Sequence, residues 1–169
     1  MIHVCALYYV DRLVQQHGVS HVITLTSNAA DIPTPPGVAA ERHLRLLMND
    51  IVEPGEGLVA PGRTHVEELV EFALAWDCKA PMLIHCWAGI SRSTAAAFTA
   101  LCARNPHAAE IDIARRLRAA SPTATPNSRI VAHADEILGR NGRMIKAVAE
   151  IGRGATASEG VPFKLPAEF

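Results

Sequence analysis

One stretch limits what this chain can fold into: Pro81-Met-Leu-Ile-His-Cys-Trp-Ala-Gly-Ile-Ser-Arg-Ser-Thr94, running on into Ala95-Ala-Ala-Phe-Thr-Ala-Leu-Cys-Ala103. Pro81 to Ile84 is apolar and short, which suits one buried strand and is too brief for a helix. Residues 95–103 are apolar almost all round, the pattern of a helix buried on every side. Cys86 and Arg92 lie between them, separated by five residues, in a loop that includes Gly89. A loop that enters a helix N-terminus offers unpaired backbone N–H groups and the positive end of the helix dipole, and so forms an anion cradle. A thiol at its start ionises more readily than a free one. Arg92 carries a planar, permanent charge suited to gripping two oxygens of a phosphate. The pattern therefore predicts a thiolate lying beneath a bound phosphate.

The rest of the chain supplies a frame for that loop. A length of 169 residues predicts one domain, and 49% hydrophobic with 20% charged residues is a globular composition. No apolar run nears the ~18 residues of a membrane span, and the first residues lack the pattern of a signal peptide. The cysteines (Cys5, Cys78, Cys86, Cys102) show neither framework nor zinc-ligand spacing, so reduced thiols in the cytoplasm, with no metal and no cofactor, are expected. Residues 1–92 carry 6 Lys+Arg against 10 Asp+Glu, and residues 93–153 carry 9 against 5. Solvated helix faces account for that asymmetry more simply than steering of an anionic substrate. No basic run with interleaved aromatics supports nucleic-acid binding.

Taken in order, Ile2–Ala6, His21–Thr26 and His43–Met48 read as strands. Leu7, Val10, Leu13 and Val14 recur at helical spacing, with Gly18 as a stop. Thr64-x-x-Glu67 predicts a capping box, opening a helix with Val66, Leu69, Val70, Ala73 and Leu74 on one face. Asn105-Pro106 predicts an N-cap and first helical position, before Ile113 and Leu117. Ile130, Val131, Ala134, Ile137 and Leu138 form a further face, Gly139 to Gly142 break it, and a last helix follows. Residues 152–169, rich in Gly, Ala, Ser and Pro, are expected to form a flexible tail after a single domain of residues 1–151. Strands alternating with helices and then helices alone predict an α/β fold: a mainly parallel central sheet with helices on both faces, in three layers.

Active sites of parallel sheets lie beyond the carboxyl ends of the strands, the edge that Cys86 marks. Asp50 follows the third strand onto that edge, within a long Gly/Pro-rich loop. Asp31, Glu53 and Glu56 share the edge and remain alternatives as a proton donor, whereas Asp77 belongs to the opposite edge. Asp50 could also do no more than shape a turn beside Asn49.

His85-Cys86-Trp87-Ala88-Gly89-Ile90-Ser91-Arg92-Ser93 resembles the His-Cys-x5-Arg-Ser/Thr signature of cysteine-dependent protein phosphatases, and its Gly-x-Ser-Arg-Ser ending resembles the compact dual-specificity type. The resemblance implies the same three-layer architecture and metal-free hydrolysis of a phosphorylated protein or other phosphomonoester through a phosphocysteine. It implies phosphate binding by the amides of Trp87, Ala88, Gly89, Ile90, Ser91 and Arg92, with Cys86 as nucleophile. It takes the acid from a loop about as far upstream as Asp50. It gives His85 a role in holding the loop, where a plain core histidine competes, and gives Ser93 a role in steadying the thiolate, compatible with helix capping. Asn127 would support the loop, although capping the following helix is the simpler reading. The same loop chemistry would serve a sulfurtransferase or an arsenate reductase, or a phosphate-binding module without turnover. The compact loop without lysine favours phosphotyrosine with relaxed specificity over a highly charged inositol phosphate.

Overall fold

Four short segments build the sheet, three of them buried almost throughout because both faces of a parallel sheet are covered. The computed structural model describes residues 1–169. Strands β1 (Ile2–Ala6), β2 (His21–Thr26), β3 (His43–Leu47) and β4 (Met82–Cys86) are parallel, and β5 (Phe163–Leu165) runs antiparallel along β1. The order is β3-β2-β4-β1-β5, which puts β4, the strand ending in Cys86, at the centre. The crossover from β1 to β2 passes β4, and that from β3 to β4 passes β2. The two crossovers run in opposite directions along the sheet, and ligands of such sheets bind beyond the carboxyl ends of the strands, the edge at which β4 ends in Cys86.

Two unequal layers cover the sheet. On one face Val4, Ile23, Leu25, Leu46, Ile84 and Cys86 join the main core. Five helices supply the rest of that layer: α2 (Arg63–Ala75), α3 (Arg92–Arg104), α4 (Glu110–Ala120), α5 (Ser128–Ile137) and α6 (Arg143–Ile151). On the other face Cys5, Val22 and Leu83 pack beneath Val10, Leu13 and Val14 of α1 (Val10–His17). The expected three-layer α/β architecture is the observed one. Every residue of α3 from Arg92 to Cys102 is buried. Ala95, Ala96, Ala97 and Ala100 let the sheet, α2, α4 and α5 close around it, which fixes its N-terminus directly after the Cys86 loop. No helix is long and apolar enough to cross a membrane.

Four local expectations are corrected. Residues 152–169 are not a free tail. Their β5 pairs with β1, Leu165 is fully buried, and Asn105 accepts from the Phe169 N–H at 2.9 Å while its Nδ2 donates to the Ala167 carbonyl at 3.0 Å. A glycine-rich composition suited this segment because it threads close to backbone. Asn105 closes α3 instead of opening the next helix, its Nδ2 also donating to the Leu101 carbonyl, and α4 begins only at Glu110. At α2 the cap is Gly62, whose N–H donates to Nδ1 of His65 at 3.1 Å, while Glu67 pairs with Arg63 one turn away. Leu74 is 54% exposed, and the neighbouring Phe72 packs against the core instead.

Candidate active site

The Cys86 loop is held by its carbonyls. The Trp87 carbonyl accepts from the Leu7 N–H, that of Ala88 from the Gly160 N–H, that of Ile90 from the Thr125 N–H and the Thr94 hydroxyl, and that of Ser91 from the Asn127 N–H and the Thr94 hydroxyl. A trans peptide sets N–H opposite C=O, so tying the carbonyls to the body of the protein turns the amides inward. The Gly89 N–H donates to Cys86 Sγ at 3.2 Å, and the N–H groups of Trp87, Ala88, Ile90 and Ser91 donate to no protein group. Ser93 Oγ lies 3.2 Å from the same sulfur and makes no capping bond. The loop thus presents a ring of amides around a buried thiol.

Glycine is required where this loop meets its neighbours. At Gly89 (φ 72°) a Cβ would fall 2.6 Å from the Ala6 nitrogen. At Gly160 a Cβ would fall 2.9 Å from the Gly89 carbonyl oxygen. The C-terminal segment is therefore a strut against the loop. Gly160→Ala should cost about 1–3 kcal/mol, as overpacking typically does, and should weaken binding of inorganic phosphate. Thermal denaturation and phosphate titration check this; unchanged values in both would show that the strut is slack.

Arg92 is 8% exposed, and its Nη1 donates to the Met48 carbonyl at 2.9 Å. Its buried Nε has no partner, and Nη2 makes no protein hydrogen bond. One corner of the guanidinium is anchored to the end of β3 and the opposite edge is left for a ligand. Asp50 Oδ1 accepts from Ser91 Oγ at 2.7 Å and from Asn127 Nδ2 at 2.9 Å. Its Oδ2 makes no protein hydrogen bond. Asn127 serves both readings made of it, since its Oδ1 caps α5 through the Arg129 and Ile130 N–H groups while Nδ2 reaches Asp50 and the Ile51 carbonyl. Asn49 closes the base of the Asp50 loop by pairing with the Val59 backbone, and Arg129 braces it through the Pro61 and Val52 carbonyls. Neither Asn49 nor Arg129 was singled out by the sequence. Both bond backbone carbonyls or amides, which leave no pattern.

Cys86, Arg92, Asp50, Ser93 and Asn127 are thus brought together. Of the alternative acids, Glu53 lines the same cleft of about 780 Å³ as Asp50, Ile90, Ser91, Asn127 and Arg153. Asp31 lines a different cleft with Tyr8 and Asp11. Glu56 is exposed in the loop. His85 is fully buried, with Nδ1 3.4 Å from the Cys86 carbonyl and Nε2 2.6 Å from Thr24 Oγ1. Burial lowers its pKa to about 4 against the pull of the Cys86 carbonyl, so it is neutral near pH 7. Cys5 belongs to the opposite face of the sheet and Cys102 to the far end of α3, and burial raises both thiols. Around the loop mouth Trp87 is 63% exposed, while Ala88 and Ile90 are half-buried.

A sulfur ringed by inward amides, with a guanidinium edge and a carboxylate nearby, can bind a tetrahedral oxyanion and attack its centre. No protein-family model and no curated protein matches the chain. Solved structures do match. DUSP15 superposes with a TM-score of 0.61 at 19% identity, over 92% of this chain and 94% of that one. Human DUSP28 gives 0.63 at 19%, over 83% and 92%. PTPMT1 in complex with PI(5)P gives 0.60 at 16%, over 90% and 95%. The fold of this chain is that of the dual-specificity phosphatases.

Proposed function

We propose that this chain, with its dual-specificity phosphatase fold, is a metal-independent phosphomonoester hydrolase that works through a phosphocysteine and acts mainly on phosphotyrosine, with relaxed specificity. One observation carries the reading: the loop after Cys86 leaves the N–H groups of Trp87, Ala88, Ile90 and Ser91 unpaired, its Gly89 N–H donates to Cys86 Sγ, and the buried Arg92 Nε at its end has no partner. Amides and guanidinium hold three phosphate oxygens and take up the charge that develops on them, the largest single contribution in reactions of this kind. Cys86 thiolate attacks phosphorus in line, so a P–S bond forms as the P–O bond to the leaving group breaks. Asp50 Oδ2 gives its proton to the departing oxygen. Water then attacks the phosphocysteine and hands a proton back to Asp50. The P–S bond breaks, and the thiolate that leaves is received by the Gly89 N–H and the Ser93 hydroxyl, both 3.2 Å away. His85, neutral and turned toward the backbone, holds the loop.

The exposed Trp87 and a mouth without lysine support an aromatic phosphate ester over a highly charged sugar phosphate. The four free cysteines support a reducing, cytoplasmic setting. The test is hydrolysis of p-nitrophenyl phosphate in chelator-treated buffer with inhibition by vanadate, followed by a panel of pTyr, pSer and pThr peptides and a phosphoinositide. Vanadate-sensitive turnover with pTyr fastest is expected. A phosphoinositide turned over faster than every peptide would replace the substrate class, and no hydrolysis of any of them would overturn the reading.

A further inference from the structure

Three neighbouring strands, β3, β2 and β4, bring three polar side chains together on the α1 face of the sheet: Thr24 lies opposite His85, and His43, opposite Val22, reaches Thr24 diagonally. They are 7%, 0% and 0% exposed. Thr24 Oγ1 lies 2.8 Å from His43 Nε2 and 2.6 Å from His85 Nε2. Beyond His43, Nδ1 lies 3.1 Å from Thr34 Oγ1, which accepts from Arg45 Nη2 at 2.8 Å. Both imidazoles are neutral near pH 7, since burial lowers each pKa to about 4.

Counting protons gives this row a direction. The Cys86 carbonyl can only accept, so the single proton of His85 sits on Nδ1 and its Nε2 is an acceptor. Thr24 must then give its one hydroxyl proton to His85, and its oxygen accepts from His43 Nε2–H. The Nδ1 of His43 is left as an acceptor for the Thr34 hydroxyl, whose oxygen takes the bond from Arg45, a residue that can only donate. The reverse order would set the His85 lone pair against the Cys86 carbonyl oxygen.

We propose that Thr24 and His43 are positioning residues for the Cys86 loop: they lock His85 in its Nδ1–H tautomer. His85 thereby holds the Cys86 carbonyl, and the planar peptide turns the Trp87 N–H, the first amide of the cradle, toward the phosphate. Bonds aligned in one sense also polarise one another. The importance of this for turnover rests on the phosphatase reading; the tautomer does not.

The ¹⁵N spectrum of His85 in the wild-type protein tests the first step without any variant: Nδ1–H with Nε2 accepting is expected, and Nε2–H overturns the proposal. Thr24→Val keeps shape and removes both bonds. It should release His85 to a mixture of tautomers and lower both inorganic phosphate affinity and kcat/KM by about tenfold or more, the scale of such outer-shell orienting bonds. Thr24→Ser should restore all three. An unchanged tautomer or unchanged phosphate affinity in Thr24→Val overturns the positioning role, even where turnover is intact. Absence of hydrolysis by wild type, with a tautomer and phosphate affinity that still follow Thr24, overturns the phosphatase reading and upholds the relay.

Discussion

Cys86→Ser is expected to reduce turnover of p-nitrophenyl phosphate by on the order of 10⁴-fold or more, the scale seen when a nucleophile is removed from an otherwise intact site, and to leave inorganic phosphate bound. The two outcomes separate because different atoms are responsible for them. Attack needs the sulfur. Binding needs the amides, whose orientation comes from carbonyl contacts to Leu7, Gly160, Thr125 and Asn127, and none of these touches the Cys86 side chain. A serine hydroxyl can take the place of Sγ beside the Gly89 N–H and Ser93, so the loop keeps its shape. Arg92→Lys separates the same functions in the opposite sense. An ammonium can hold one corner, the Met48 carbonyl or the phosphate, and cannot span both as the fork does. Phosphate affinity should therefore fall along with turnover. Single-turnover kinetics and phosphate titration decide the matter. Residual hydrolysis by Cys86→Ser at even a tenth of the wild-type rate would remove Cys86 from the mechanism.

The centre of this site was legible because its parts are contiguous. Strand, Cys86, Gly89, Arg92 and buried helix form one run, and each neighbour confirms the next. The position of Asp50 beside the loop was legible at longer range because the carboxyl edge of a parallel sheet is a strong constraint once Cys86 marks it. What escaped were contacts with no period and no motif. Thr24 and His43 look like ordinary strand residues, and only the lateral order β3-β2-β4 sets them beside His85. Gly160 looked like part of a tail because small residues suit both disorder and close approach to backbone. A Cβ that would fall 2.9 Å from Gly89 shows which applies. Asn105 is ambiguous for a related reason: its side chain caps either end of a helix, and the proline after it pointed to the wrong one.

Asp50→Asn should slow hydrolysis of phosphotyrosine by about 10²- to 10⁴-fold, the usual contribution of a general acid, and should affect an activated aryl phosphate far less. An activated phenol departs with little need of a proton, whereas the phenol of tyrosine needs one. The substitution isolates that proton because the two carboxylate oxygens are used differently. Oδ1 accepts from Ser91 and Asn127, and an asparagine carbonyl can accept both bonds in the same place. Oδ2 makes no protein hydrogen bond, Asp50 lines the cleft, and there the amide offers no acidic proton. The loop should hold its conformation, since Asn49 and Arg129 fix it through backbone groups. The basic limb of the pH–rate profile should flatten as well, because that limb reports loss of the proton from the acid. Leaving-group dependence of kcat/KM is the deciding measurement. Equal losses on both esters would mean that Asp50 shapes the loop through Ser91 and Asn127 and does not transfer a proton. No loss on either would pass the role to Glu53, which lines the same cleft.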